Sequence, residues 1–170
     1  MKNDITYIRS MLVFFMIALF LSGLTAIPLE TELNFLRRCF PIGTSLGDWI
    51  DRVYLALVKT NRDYPFLSYG YDWLAFAHFI LAILFVGPYK DPIRNKWVIE
   101  FGMIACLLII PFAFIAGHFR NIPIGWILID CSFGVIGLLP LSICLSRINK
   151  MEKDQAETAS EAQQVSTSFS

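Results

Sequence analysis

Two apolar stretches late in the chain, 101–119 and 121–146, contain a single Asp, Glu, Lys or Arg between them: Asp130. At 1.5 Å per residue each is long enough to cover a hydrocarbon core of about 30 Å. Inside lipid every backbone N–H and C=O must be satisfied within its own element, so a continuous apolar run of this kind is a helix. One carboxylate in such a run needs a reason to be there. That constraint organises the reading of everything else.

The composition agrees with it. Only 16% of the 170 residues are charged, where soluble domains carry roughly a quarter. The formal net charge is zero, which gives no electrostatic ground for nucleic acid as a partner. The length allows one domain and a tail. The expected fold is all-α: an integral membrane four-helix bundle occupying 1–149, with spans at about 10–29, 73–89, 98–119 and 123–146.

The first span lies between Arg9 and Glu30. Lys2 and Arg9 resemble the basic region of a signal peptide. The apolar run is long, however, and the Leu24, Thr25, Ala26 end lacks a small residue where cleavage would need one, so the span reads as retained. The second span has seventeen residues between Asp72 and Lys90, near the lower limit for crossing, with Pro88 at its exit. Pro111 inside the third span is expected to kink it. Beyond Asn149 the sequence turns to Glu, Gln, Ser, Thr and Ala, the composition of a disordered tail at 150–170.

The linker at 30–72 carries one or two amphipathic helices. Leu29, Leu33, Leu36 and Phe40 fall on one face, with Glu30 and Glu32 at the start and Arg37 and Arg38 at the end, as the helix dipole favours. A second stripe runs from Leu46 through Trp49, Ile50, Val53, Tyr54 and Leu57, with Ser45 as its cap. Tyr64, Tyr69, Tyr71 and Trp73 suit a membrane interface.

Four spans put both termini on one side, together with Lys2, Arg9, Lys90, Arg94, Lys96, Arg147, Lys150 and Lys153. The other side has Arg37, Arg38, Arg52, Lys59, Arg62 and Arg120. The positive-inside rule then expects cytoplasmic termini and an external linker, in the plasma (inner) membrane.

Ionisable groups at membrane depth usually face a bundle interior or a water-filled cavity. His78 lies about 8 Å in from Trp73, and Asp130 about 9 Å in from Ile124, so they match in depth. Gly134 and Gly137 share the face of Asp130 and would let another helix approach. A pocket of Tyr71, His78, His118, Arg120 and Asp130 is geometrically allowed. The plainer readings are that Asp130 only fixes helix register, and that His118 and Arg120 are interfacial. Glu100 is expected to pair with Lys96 on the helix surface.

Two histidines and a carboxylate can form a metal set, but His118 sits too close to its helix end for one ion to reach all three. The histidines also differ in depth by about six residues of rise, against a paired haem ligation. No cofactor or metal is expected. A proton relay or an anionic headgroup site at Asp130, His78 and Arg120 demands less geometry. Cys106, Cys131 and Cys144 in the spans read as packing residues, and Cys39 as an unpaired linker thiol.

A histidine opening the second span, an arginine before the fourth, and Asp130 followed by Gly134 and Gly137 resemble VanZ-like membrane proteins at scattered positions of the last hundred residues. The chain departs from that family's D-K-x-x-H, since Asp72 precedes His78 by six. The family's glutamate–glutamine pair and the asparagine after its aspartate are also missing. No role is carried over from it. Two readings follow from the residues themselves. The first is a non-enzymatic accessory subunit or binding module, working with membrane lipid, a partner membrane protein or copies of itself. The alternative is a membrane enzyme at the outer lipid interface with His78 and Asp130 as acid–base groups.

Overall fold

The structure is a computed structural model that describes residues 2–168. Among these the fold is all-α, without a strand. The elements are α1 (Lys2–Ala26), α2 (Leu29–Cys39), α3 (Ser45–Asp63), a 3-10 turn at Pro65–Ser68, α4 (Tyr69–Leu84), α5 (Val86–Lys90), α6 (Lys96–Phe119) and α7 (Ile124–Ser168). Four stretches are long and apolar enough to cross a membrane: Asn3–Ala26, Pro65–Lys90, Lys96–Phe119 and Ile124–Glu161.

Local chemistry explains several boundaries. Pro88 has no N–H, and its ring crowds the carbonyl four residues back at Leu84, which is where α4 ends before the short α5 resumes. The cap of α3 is Thr44, whose Oγ1 accepts from the Gly47 N–H at 3.0 Å, and not the adjacent Ser45 suggested by sequence. Asp48 returns the favour by accepting from the Gly43 N–H at 2.8 Å. At the end of α6, Asn121 takes φ 53°. The Ile122 N–H reaches the Gly117 carbonyl and the Asn121 N–H reaches that of His118, a Schellman turn with Asn in the left-handed position.

Packing centres on α1. It lies along α4, and its other side meets α7, which in turn packs most extensively on α6. The largest cluster of buried side chains lies toward the chain termini. Ile8, Leu12 and Phe15 of α1 meet Phe85, Val98, Ile99 and Cys106, and Leu141, Cys144, Ile148 and Met151 of α7. The cluster runs from the terminal end of the bundle to its middle, where Phe15 and Cys106 lie. In lipid such contacts act through dense van der Waals packing, since removal from water is already supplied by the bilayer.

Charged ties close the same end. Arg147 bonds to Asp4 at 2.9 Å and lies 4.0 Å over the Tyr7 ring. The Arg9 Nε donates to the Tyr89 carbonyl at 3.0 Å, where α5 leaves acceptors unused. Lys96 bonds to Glu152 at 2.7 Å, replacing the expected pairing with Glu100, because the first turn of α6 lies against α7.

The expected disordered tail is instead helical through Ser168, with 169–170 outside the described residues. Its Ala, Glu, Gln and Lys content favours helix, and its first turn is anchored by Met151, buried to 3% exposure, and by Glu152. From Lys153 onward the described side chains are exposed.

At the opposite end, α2 and α3 fold back on each other over Leu33, Ile50 and Leu57. Trp126, in the first turn of α7, joins this second cluster and ties the linker to the bundle. Arg37 bonds to Asp51 at 2.6 Å and stacks 4.3 Å over Tyr54. Partial burial raises the Glu32 carboxyl above the ordinary carboxylate value.

Candidate functional site

The main cluster of buried side chains ends at mid-bundle with Phe15 and Cys106, and both also face an open space beside it. A groove of about 190 Å³ lies at mid-bundle, lined by α1, α4, α6 and α7. Phe14, Phe15, Ala18, Leu19 and Ser22 line it from α1, and His78 from α4. Cys106 and Ile109 of α6 and Phe133, Ile136, Gly137 and Pro140 of α7 complete it. His78 and Ser22 are its polar side chains apart from the thiol of Cys106, which faces Gly137.

Close approach of α1 and α4 places His78. A Cβ on Gly23 would come within 2.8 Å of the His78 Cβ and 2.9 Å of the Ala75 carbonyl oxygen, so only glycine fits there. The neighbouring Phe20 and Phe79 rings pack with centroids 4.9 Å apart. The His78 ring bonds through Nδ1 to the carbonyl of Leu74 in its own helix, at 2.8 Å.

Asp130 is half-buried on α7. Its level follows from the antiparallel register of α7 on α1. Cys144 Sγ lies 3.8 Å from the Ile8 carbonyl, and one heptad on, Gly137 faces Phe15. The next heptad brings Asp130 level with Ser22. At the Ser22–Gly23 turn α1 packs on α4, through Gly23 against His78 and Ala75, and α4 and α7 lie against different sides of α1. The two glycines after Asp130 do admit a neighbour: a Cβ on Gly134 would lie 2.5 Å from the Cys106 carbonyl oxygen of α6.

The remaining residues of the expected pocket stand elsewhere. Tyr71 lines two clefts at the base of the linker, one with Trp49 and Arg52, the other with Glu30, Asn61 and Asp72. His118 and Arg120 are exposed at the Schellman turn, with the His118 ring against Phe119 at 5.9 Å. None of the three lines the groove, and neither does Asp130, so His78 alone of the expected pocket faces it. Among the described residues, no group of three His, Cys, Asp or Glu side chains is arranged to hold a metal ion.

Sequence reasoning passed over Ser22 and Gly23. The signal was present, as a pair of small residues interrupting an otherwise bulky first span. It also passed over a polar chain at the linker base, where Asn61 donates to Glu30 at 3.0 Å and accepts from the Ser68 hydroxyl.

The fold and groove define a small helical protein with four membrane-length helices. No family model, curated protein or solved structure matches the chain, so the scattered likeness to VanZ-like proteins extends no further.

Proposed function

We propose that this is a polytopic membrane protein acting as a non-enzymatic binding module or accessory subunit, with the groove between α1, α4, α6 and α7 as the place where a lipid-soluble ligand sits. The observation that carries this reading is the groove itself: concave, apolar along its length, and edged with His78 and Ser22 at one end. Binding sites have that pattern, an apolar lining with a few polar groups fixing orientation. The termini are cytoplasmic and the linker external, supported by the basic clusters beside the spans at the terminal end. The amphipathic α2 and α3 rest at the outer interface. Phe35 of α2 and Ile42 of the turn between the two helices, at 66% and 76% exposure, are the membrane-facing apolar side chains.

The test is to photolabel the full chain in vesicles with a neutral alkyl diazirine and map the labelled peptides. Label concentrated on the groove segments of α1 and α7 is expected. Ala18→Trp, which adds bulk at an exposed groove position, should remove that label while leaving label at lipid-facing Phe112. Even labelling along all apolar helix faces would end the proposal.

A further inference from the structure

His78 is the imidazole on the groove wall, and the nitrogen it leaves free selects the head group of whatever binds. The ring is held from its own helix. Nδ1 lies 2.8 Å from the Leu74 carbonyl oxygen, which can only accept, so Nδ1 carries the proton. In the neutral ring Nε2 then keeps an acceptor lone pair. No other hydrogen bond or ion pair within the described residues engages the ring. Hydrocarbon supplies no donor, so an acceptor at this depth stays unsatisfied until a ligand brings one.

The rest of the lining fixes what can carry that donor. A Cβ on Gly23 would lie 2.8 Å from the His78 Cβ, so His78 stands level with the end of the α1 wall, which runs from Phe14 to Ser22. That wall rises about 12 Å. Away from His78 it continues as Phe14, Phe15 and Leu19, with Pro140 opposite, surfaces suited to a hydrocarbon chain. At about 190 Å³ the groove is smaller than the roughly 300–1,000 Å³ of sites for drug-sized ligands, so it holds one chain and not two. No Asp, Glu, Lys or Arg is among the lining residues, so a charged head would be uncompensated there.

We infer that the groove takes a neutral single-chain lipid ending in a hydroxyl, which donates to His78 Nε2. This rests on the reading of the groove as a ligand site. A hydroxyl brings the one donor that Nε2 lacks, and no charge. An ether head only accepts, and meets the lone pair with another. An ammonium head donates, but finds no carboxylate on the groove wall.

The experiment uses the full chain in phosphatidylcholine vesicles with three twelve-carbon probes, photoreactive at the same chain position: an alkanol, its methyl ether and an alkylamine. Label on the α1 and α7 groove segments is normalised to label at Phe112, exposed on α6. The alkanol is expected to exceed the ether by about fivefold, the size of one neutral hydrogen bond, and to exceed the amine. His78→Phe, which keeps an aromatic ring and removes the acceptor, should abolish the excess over the ether. Equal groove labelling by alkanol and ether, or a preference for the amine, overturns the inference and leaves the groove a ligand site. An alkanol preference that survives His78→Phe overturns it as well. Failure of every probe to favour the groove removes the underlying reading instead. Should His78→Phe not accumulate, the wild-type ranking of the three probes decides alone.

Discussion

Gly23 of α1 packs directly on His78 of α4, leaving no room for a methyl group between the helices. Two of the atoms that a Cβ would meet belong to α4 itself, the His78 Cβ and the Ala75 carbonyl oxygen, and neither can swing aside. Gly23→Ala is therefore expected to push α1 and α4 apart at the linker end. The cost should fall near the usual overpacking range of about 1–3 kcal/mol. Thermal unfolding in a fixed detergent checks it, and an unchanged midpoint would show that the helices are not held this closely.

The contact of Gly134 with α6 is tighter. A Cβ there would lie 2.5 Å from the Cys106 carbonyl oxygen, against 2.8 Å for the nearest atom at Gly23. The α6–α7 pair is also the most extensive interface of the bundle. Gly134→Ala should accordingly lower the unfolding midpoint more than Gly23→Ala does. The reverse order would mean that α6 and α7 separate more readily than α1 and α4.

Why part of this was legible in the sequence and part was not is visible at Asp130. Hydropathy locates the spans because the bilayer imposes their length, and helical rise then gives a depth for Asp130 and His78 but not which helices lie side by side. Interhelical register cannot be read that way. It depends on which small residues let which backbones approach, as Gly23 does for α1 on α4 and Gly137 for α7 beside Phe15 and Cys106. Tyr71 shares a face with His78 by spacing, yet two turns nearer the linker it meets Trp49 and Arg52 of α3 instead. The linker helices were readable because Leu29, Leu33, Leu36 and Phe40 repeat at helical spacing, and that stripe is what packs into the second cluster. The tail was misread because its composition suits both a disordered segment and an exposed helix.

Cys39 is the exposed thiol among four cysteines, while Cys106, Cys131 and Cys144 are buried. A membrane-impermeant maleimide should therefore label the native chain once, and Cys39→Ser should abolish labelling. Added to intact cells, the reagent should reach Cys39 from outside. Labelling that requires broken cells would place the linker in the cytoplasm and reverse the proposed orientation. Labelling of Cys39→Ser would show that the bundle interior opens.

Glu32 gives the linker a small pH dependence. Burial raises its folded-state pKa above the unfolded value, so the folded hairpin binds its proton more readily. Stability from this group then falls as pH rises through that window and is regained on acidification. Glu32→Gln should slow hydrogen exchange in α2 slightly at neutral pH. The difference from wild type should fade as pH drops toward the ordinary carboxylate range. Faster exchange in Glu32→Gln than in wild type at neutral pH would mean that Glu32 is stabilised by an ionic partner.

The long α7 should divide sharply into a part that holds the bundle and a part that does not. Met151 is buried at 3% exposure, and Glu152 reaches Lys96, whereas the described side chains from Lys153 onward are exposed. Ending the chain after Gln155 keeps both anchors, and exposed residues lost beyond them should change stability by no more than about 0.5 kcal/mol. Ending it after Asn149 removes both. Loss of a buried methionine side chain costs on the order of 2 kcal/mol or more, and the partly exposed ion pair adds up to about 1 kcal/mol. Unfolding midpoints of the two truncations, measured beside the full chain in one detergent, separate the contributions. If both match the full chain, Met151 fills its site without securing α1 and α6. If the longer truncation is already destabilised, the exposed turns of α7 pack on a surface outside the bundle, such as a second copy of the chain.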